Sequence, residues 1–174
     1  MQNKSEAELI AQSLNGDHGA YGTLVDRYKD AIYHHCFVIV RDEDLAEDIS
    51  QETFIAAFYK LGQYRPEYKL STWLFKIATN NALNALKKKR KELPHDDIFF
   101  STIASSQTEP PMTYRDSELH EAVDKLGVNH RTVISLYYWQ GLSYQEIAAV
   151  MSSPIGSVRG WMSRAKETLR KELS

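Results

Sequence analysis

Gly141-Leu142-Ser143-Tyr144-Gln145-Glu146-Ile147-Ala148-Ala149-Val150-Met151-Ser152-Ser153-Pro154-Ile155-Gly156-Ser157-Val158-Arg159 holds two helix starts and one turn. Ser143 with Glu146 three residues on forms a capping box, in which each side chain accepts a backbone N–H at the open end of a helix. That helix is expected to end near Met151. Ser153 reads as a second N-cap with Pro154 at the first helical position, where a missing N–H is no loss. Beyond it, Ile155, Val158, Met162, Ala165 and Leu169 follow a three-four spacing that predicts one buried stripe. Two short helices joined by about three residues make a helix-turn-helix, whose second helix suits the DNA major groove.

The other side of that second helix is basic. Arg159, Ser163, Lys166 and Arg170 fall close together on a helical wheel, with Arg164 on the opposite flank. From Gly156 to Lys171 there are five basic residues and one acidic one. Such residues bind phosphates and read guanine edges. The same charges also suit a solvated helix, because basic residues near a helix C-terminus are favoured by the macrodipole.

Upstream, the chain continues to read as helical. Ser5 and Glu8 make a capping box before Leu9, Ile10 and Leu14, and Tyr21, Leu24, Val25, Tyr28 and Ile32 recur at helical spacing. A helix is predicted from about Asp42 to Leu61, and Ser71 is placed to cap another running to about Lys91. Residues 116–126 are amphipathic, Asn129 is placed to cap another helix, and Gly141 to end it. No segment sustains a period of two. The fold class is therefore all-α: two small helical domains, residues 1–91 and 116–174, joined by an acidic linker over 92–115.

The net charge of −2, from 21 basic and 23 acidic residues, argues against a polyanion binder until it is divided along the chain. Residues 92–114 hold four acidic residues and no basic one, together with Pro94, Pro110, Pro111 and a Ser/Thr-rich run. Ile98, Phe99, Phe100 and Ile103 interrupt this linker as a patch that either docks on a surface or forms a short turn. Cys36 is the single cysteine, which excludes an internal disulfide and a Cys-cluster zinc site. No apolar run reaches membrane-spanning length and the N-terminus does not read as a signal peptide, so a cytoplasmic protein without direct membrane insertion is expected.

Three further patterns carry chemistry. Asp44, Asp48 and Glu52 stand at i, i+4 spacing with Glu47 beside them, forming a carboxylate stripe. Successive like charges at that spacing destabilise a helix unless something opposes them. A basic protein partner would do so; a solvated face is the plainer alternative. The loop Gln63–Leu70 interleaves Tyr64 and Tyr68 with Arg65 and Lys69 and leads into Trp73, a combination suited to stacking and neutralising single-stranded nucleic acid. Trp73 also has core spacing with Leu74 and Ile77, which leaves the tyrosines as the better candidates for exposure. Lys76, Asn80, Asn84 and Lys88 then line one helix edge, with Lys87 and the rest of the basic run to Lys91 following. Asparagine is a poor mid-helix residue, so base contact or solvent exposure must explain Asn80 and Asn84.

Asp44 through Phe54, Ser71 through Asn80 with the basic run after it, and Gly141 through Lys166 together resemble the extracytoplasmic-function (ECF) sigma factors, a subfamily of the bacterial sigma-70 RNA polymerase sigma factors. The resemblance covers about residues 5–91 and 116–172. It implies an alternative sigma factor, not an enzyme, needing no cofactor or metal. The helix bearing Asp44, Glu47, Asp48, Gln51 and Glu52 would dock on the clamp helices of the polymerase β′ subunit. Tyr64, Arg65, Tyr68, Lys69, Trp73, Lys76, Asn80, Asn84, Lys87 and Lys88 would recognise and melt the −10 promoter element. Ser157, Arg159, Gly160, Ser163, Arg164 and Lys166 would read the −35 element, in a domain that also touches the β flap. The implied partners are core RNA polymerase, promoter DNA as duplex and as melted single strand, and an anti-sigma factor.

The chain departs from the family pattern at Leu126-Gly127-Val128, where Leu-Pro is usual, at Ser152-Ser153 in the turn, and at Gly160 and Trp161 in the second helix. Two other readings compete. A stand-alone helix-turn-helix regulator leaves the acidic stripe unexplained. A metal-dependent nuclease would use Asp44, Asp48, Glu52 and His34 or His35, but adjacent histidines point about 100° apart on a helix, a poor geometry for one metal.

Overall fold

The computed structural model describes residues 3–92 and 114–174. The segment 93–113, with most of the expected linker and the patch at Ile98, Phe99, Phe100 and Ile103, lies outside the described residues. Among the described residues every regular element is helical.

The first half contains α1 (Glu6–Leu14), α2 (His18–Val40), α3 (Glu43–Lys60), a single 3-10 turn (Leu61–Gln63) and α4 (Leu70–Glu92). The Ser5–Glu8 capping box forms as its spacing requires. Asp17 and Asp42 cap α2 and α3 by accepting the N–H of Ala20 and Leu45. Arg41, in the left-handed conformation at φ 57°, ends α2 and turns the chain into α3. Helix α2 packs against α1, α3 and α4. Leu24, Ile32, Cys36 and Ile39 from α2, Ala46, Ile49 and Ala57 from α3, and Leu74, Phe75, Ala78 and Ala82 from α4 are buried in this core. Each such leucine or isoleucine contributes roughly 1.5–3 kcal/mol. The like-charge pairs along α3 oppose folding by only about 0.2–0.5 kcal/mol each. Burial therefore holds α3 helical despite its acidic face.

The second half contains α5 (Tyr114–Asp124), α6 (Val128–Ile134) continued by a π-helical turn (Ser135–Trp139), α7 (Tyr144–Val150) and α8 (Ile155–Leu173). Gly141, at φ +72°, supplies the left-handed residue that reverses the chain. The Ser143–Glu146 capping box starts α7. Val158, Met162, Ala165 and Leu169 form the buried stripe of α8, as their spacing predicts. Helices α5, α6 and α7 all pack on α8.

Three expected caps differ. Helix α4 begins at Leu70, before Ser71, and the Trp73 N–H reaches the Lys69 carbonyl. Burial of Leu70 draws that residue into the first turn. Gly127, not Asn129, precedes α6, and its carbonyl accepts the Arg131 N–H. Ser153 does not cap α8: its hydroxyl donates to the Met151 carbonyl inside the turn, and Pro154 takes the cap position instead. Ser152, at φ +49°, makes the reversal that leaves Ser153 facing backwards.

The two halves touch. Helix α4 packs on α7, and α2 packs on α6 and on the π-helical turn.

Candidate nucleic-acid and protein interfaces

Helix α8 presents Arg159, Ser163, Arg164 and Arg170 to solvent, opposite its buried stripe. Ser157, Gly160, Trp161 and Lys166 are half-buried beside them. A Cβ built on Gly160 meets no atom within 4 Å, so packing does not require glycine there. Lys166 Nζ rests 5.7 Å from the centroid of the Tyr137 ring, a cation–π contact that orients it along the helix. His130 is held below the ordinary histidine range, first by burial and then by Arg164, so this corner of the surface carries positive potential.

Helix α4 separates its faces sharply. Leu74, Phe75, Ala78, Thr79 and Ala82 point inward, while Lys76, Asn80, Asn84, Lys87 and Lys88 are exposed along the opposite edge. Lys89 leaves this group to pair with Asp42 at 3.6 Å. In the loop before α4, Tyr68 is 62% exposed and Arg65 is exposed beside it. Tyr64 differs from expectation: it is half-buried, donates its hydroxyl proton to the Tyr68 carbonyl, and lies 5.5 Å from the Trp73 ring. The aromatic ring of this loop that lies open to solvent is therefore Tyr68, while Tyr64 packs against half-buried Trp73. Lys69 forms an ion pair with Glu146 of α7 at 3.3 Å.

On α3, Asp44, Glu47, Asp48, Gln51 and Glu52 are all exposed on one face. Its field is felt nearby: the Tyr33 phenol is raised above its ordinary range by burial and then by Glu43, Glu47 and Asp44. Ile55 and Tyr59, 59% and 80% exposed, extend the acidic face with apolar surface. Their positions continue the three-four spacing from Glu52, a signal that carboxylate counting alone passes over.

The histidines do not join the carboxylates. His35 is fully buried between α4 and the second half, and His34 faces His120 of α5. Among the described residues, no group of three His, Cys, Asp or Glu side chains is placed to hold a metal ion. No helix among them is long and apolar enough to cross a membrane.

Comparison with known proteins matches both halves. Residues 24–92 fit the family model for sigma-70 region 2, and residues 116–169 fit that for sigma-70 region 4. The chain is 34% identical to the ECF RNA polymerase sigma factor SigW of Bacillus subtilis, covering 94% of each. It is 32% identical to the RNA polymerase sigma-H factor of Pseudomonas aeruginosa, over 98% of this chain and 94% of that one. Among solved structures, CnrH in complex with the cytosolic domain of CnrY superposes with a TM-score of 0.69 at 25% identity, over 95% of this chain and 94% of that one. The sigma factor RpoE of Bartonella quintana, solved with the anti-sigma factor NepR, shares the fold at a TM-score of 0.76 and 24% identity, over 88% of this chain and 96% of that one.

Proposed function

The chain belongs to the ECF group of bacterial sigma-70 factors, alternative sigma factors of RNA polymerase, and from that premise we propose how its separate surfaces divide the work. The acidic face of α3, from Asp44 to Glu52 with Ile55 and Tyr59 beyond, docks on the clamp helices of the polymerase β′ subunit. Its like charges are unfavourable in isolation and become favourable against a basic partner. Tyr68, Arg65 and Lys69 receive the melted strand of the −10 element, with Tyr64 and Trp73 as their support. Flipping a base costs a few kcal/mol, which stacking at about 1–3 kcal/mol per base and polar contacts offset. Lys76, Asn80, Asn84, Lys87 and Lys88 follow the adjoining DNA along α4.

Helix α8 enters the major groove of the −35 element. Arg159 reads a base edge, while Ser157, Ser163, Arg164 and Lys166 contact the backbone. At Gly160 the absence of a side chain lets that backbone approach closely. The domain boundaries follow as residues 1–91 for polymerase docking and the −10 element and 116–174 for the −35 element, with the chain between them as a tether through the polymerase. The β flap and an anti-sigma factor complete the partner set, and the work takes place in the cytoplasm.

One observation carries this reading: acidic, aromatic-basic and basic surfaces lie on three different parts of one chain, on α3, on the loop before α4 with the edge of α4, and on α8. Reconstituted transcription tests it. Purified protein added to cognate core polymerase is expected to start transcripts at specific promoters that core alone ignores. Duplex binding by the chain, without polymerase binding or specific starts, would return it to the class of plain helix-turn-helix regulators.

A further inference from the structure

The loop before α4 hangs on few inner contacts. Its ends, Leu61 and Leu70, are buried, and of the eight residues between them Tyr64 is the one that is not exposed. Two backbone bonds close the loop from inside: the Tyr64 N–H reaches the Leu61 carbonyl and the Tyr68 N–H the Arg65 carbonyl, each at 3.1 Å. The Tyr64 hydroxyl donates to the Tyr68 carbonyl, and its ring lies 5.5 Å from Trp73. Where Tyr64 sits therefore decides where Tyr68 is presented.

The other side of Tyr64 is faced by α1 and α2. Glu6, half-buried in the first turn of α1, accepts the hydroxyl proton of Tyr28 on α2. Its carboxylate is near enough to add to the effect of burial in raising the Tyr64 phenol. The Tyr28 phenol is raised by burial, then by its bond to Glu6 and the Glu6 charge, with Tyr64 adding to the effect. Helix α1 also touches the 3-10 turn Leu61–Gln63 that opens the loop. Arg27, beside Tyr28, donates to Asn3 Oδ1 at 2.9 Å and to the Lys4 carbonyl at 2.6 Å, which fixes the chain ahead of α1.

A plainer role for Glu6 is service to its own helix, because acidic residues in a first turn favour the macrodipole. That end of α1 already carries the Ser5–Glu8 capping box, and Leu9, 1% exposed, already anchors the helix in the core. An exposed carboxylate would serve the dipole equally, whereas burying part of a charge costs free energy unless a hydrogen bond offsets it. The placement of Glu6 against Tyr28 and Tyr64 exceeds what α1 itself requires.

We propose that Glu6 of α1, through Tyr28 of α2, is a positioning residue for the −10 loop: the pair backs Tyr64, keeps its ring against Trp73, and so sets the place at which Tyr68 receives the melted strand. Helix α1 lies outside the stretch matched to sigma-70 region 2, so the proposal adds an element to the strand-receiving site. It rests on the sigma-factor reading and on the assignment of this loop to the −10 element.

The test uses the full chain as wild type, Glu6→Ala, Tyr28→Phe, Glu6→Gln and Glu8→Ala. Glu6→Gln keeps a side-chain oxygen to accept the Tyr28 proton. Glu8→Ala removes half of the capping box of the same helix and leaves Glu6 and Tyr28 in place, so it measures what loosening α1 alone does. Hydrogen exchange in the free protein reads the Tyr64 and Tyr68 amides, and circular dichroism checks helix content. Glu6→Ala and Tyr28→Phe are expected to speed exchange at both amides about 3- to 10-fold, and the other two variants by less than about 2-fold. With cognate core polymerase, the first two should slow open-complex formation about 3- to 10-fold at unchanged affinity for core, while Glu6→Gln and Glu8→Ala open at the wild-type rate. If Glu6→Ala loses helix content, Tyr28→Phe decides. Unchanged exchange in both variants, equal effects from Glu8→Ala, or faster exchange with normal opening would each overturn the positioning role. If no form starts transcripts with core, the sigma reading fails and takes the −10 role with it, while exchange still decides whether α1 braces the loop.

Discussion

The outward faces of α3, α4 and α8 and the seam between the two halves use polar residues in opposite ways. Outside, like charges stand together: Asp44, Asp48 and Glu52 on α3 and Arg159 and Arg164 on α8 have no ion-pair partner among the described residues. At the seam, each donor meets an acceptor, and His35 contacts one hydroxyl from each half. Unmatched exposed charge is surface left free to meet another molecule, whereas matched buried polarity is surface that has already found its partner within the chain. The contrast is broken most forcefully by acid, which charges the seam and leaves the basic outer faces as they are.

Burial lowers His34 to about 4, with His120 adding to the effect, and lowers His35 to about 3, with His34 adding to it. In the unfolded chain both return toward the ordinary value near 6.5. Between those limits the folded chain binds fewer protons, so its stability is full above about pH 6.5 and is lost progressively as pH falls toward 4. His34 faces His120 and Trp139; His35 faces Thr79, Ser135 and Phe75; Arg41, Arg131 and Asp124 lie around them. Asp124 is raised by burial and acts in the other direction, as one carboxyl against two rings. At about 1.4 kcal/mol per pKa unit and group, this is the largest effect expected. Urea titrations at pH 7.5, 6.5, 5.5 and 4.5 measure it, and a flat profile across that range would mean that the rings are already hydrated.

Charge reversal on the outside comes next. Asp48→Lys with Glu52→Lys is expected to weaken core polymerase binding by roughly 10- to 100-fold. Thermal stability should hold, because the reversal makes the pair at 44 and 48 attractive while the pair at 48 and 52 stays like-charged. A fall in stability as large as the fall in affinity would place these carboxylates with the seam instead.

Legibility in the sequence follows the same division. Capping boxes at Ser5–Glu8 and Ser143–Glu146, the stripe of α8 and the acidic face of α3 are relations between residues three or four apart, which local spacing displays. The seam is not local: His35 meets Thr79 across 44 positions and Ser135 across 100, and Arg131 meets Ile39 across 92. Read singly, His35, Thr79 and Ser135 look like ordinary helix residues, and adjacent His34 and His35 look like a metal site or a surface pair. Caps at Ser71 and Ser153 were also illegible, because burial of Leu70 and the reversal at Ser152 decide where those helices begin.

Arg159→Ala sharpens the comparison within α8. Arg159 is exposed and unpaired among the described residues, whereas Lys166 is half-buried over Tyr137. Arg159→Ala is expected to cost about 1–3 kcal/mol of holoenzyme affinity for the preferred −35 sequence and to relax the preference at one position. Lys166→Ala should weaken all sequences alike, with a shallower salt dependence. Competition binding against single-base variants separates the two, and uniform loss from Arg159→Ala would assign it to the backbone.

The smallest effect on stability tests the division at its narrowest point, where Thr79 and Asn80 stand side by side on α4. Thr79 is 0% exposed and bonds to His35; Asn80 is exposed on the opposite edge. Asparagine is one of the weaker helix formers and alanine the strongest, so Asn80→Ala should stabilise the fold by up to about 0.7 kcal/mol. The same change should weaken opening of the −10 element, measured as the rate of open-complex formation by holoenzyme. Thr79→Val, nearly equal in volume, leaves a ring nitrogen of His35 without its partner and should destabilise by about 1–3 kcal/mol. Stability and function therefore move apart at Asn80, while Thr79→Val is read on stability alone. If Asn80→Ala gained stability and left open-complex formation unchanged, the asparagine would be an ordinary exposed helix residue, and the DNA edge of α4 would rest on Asn84 and its lysines.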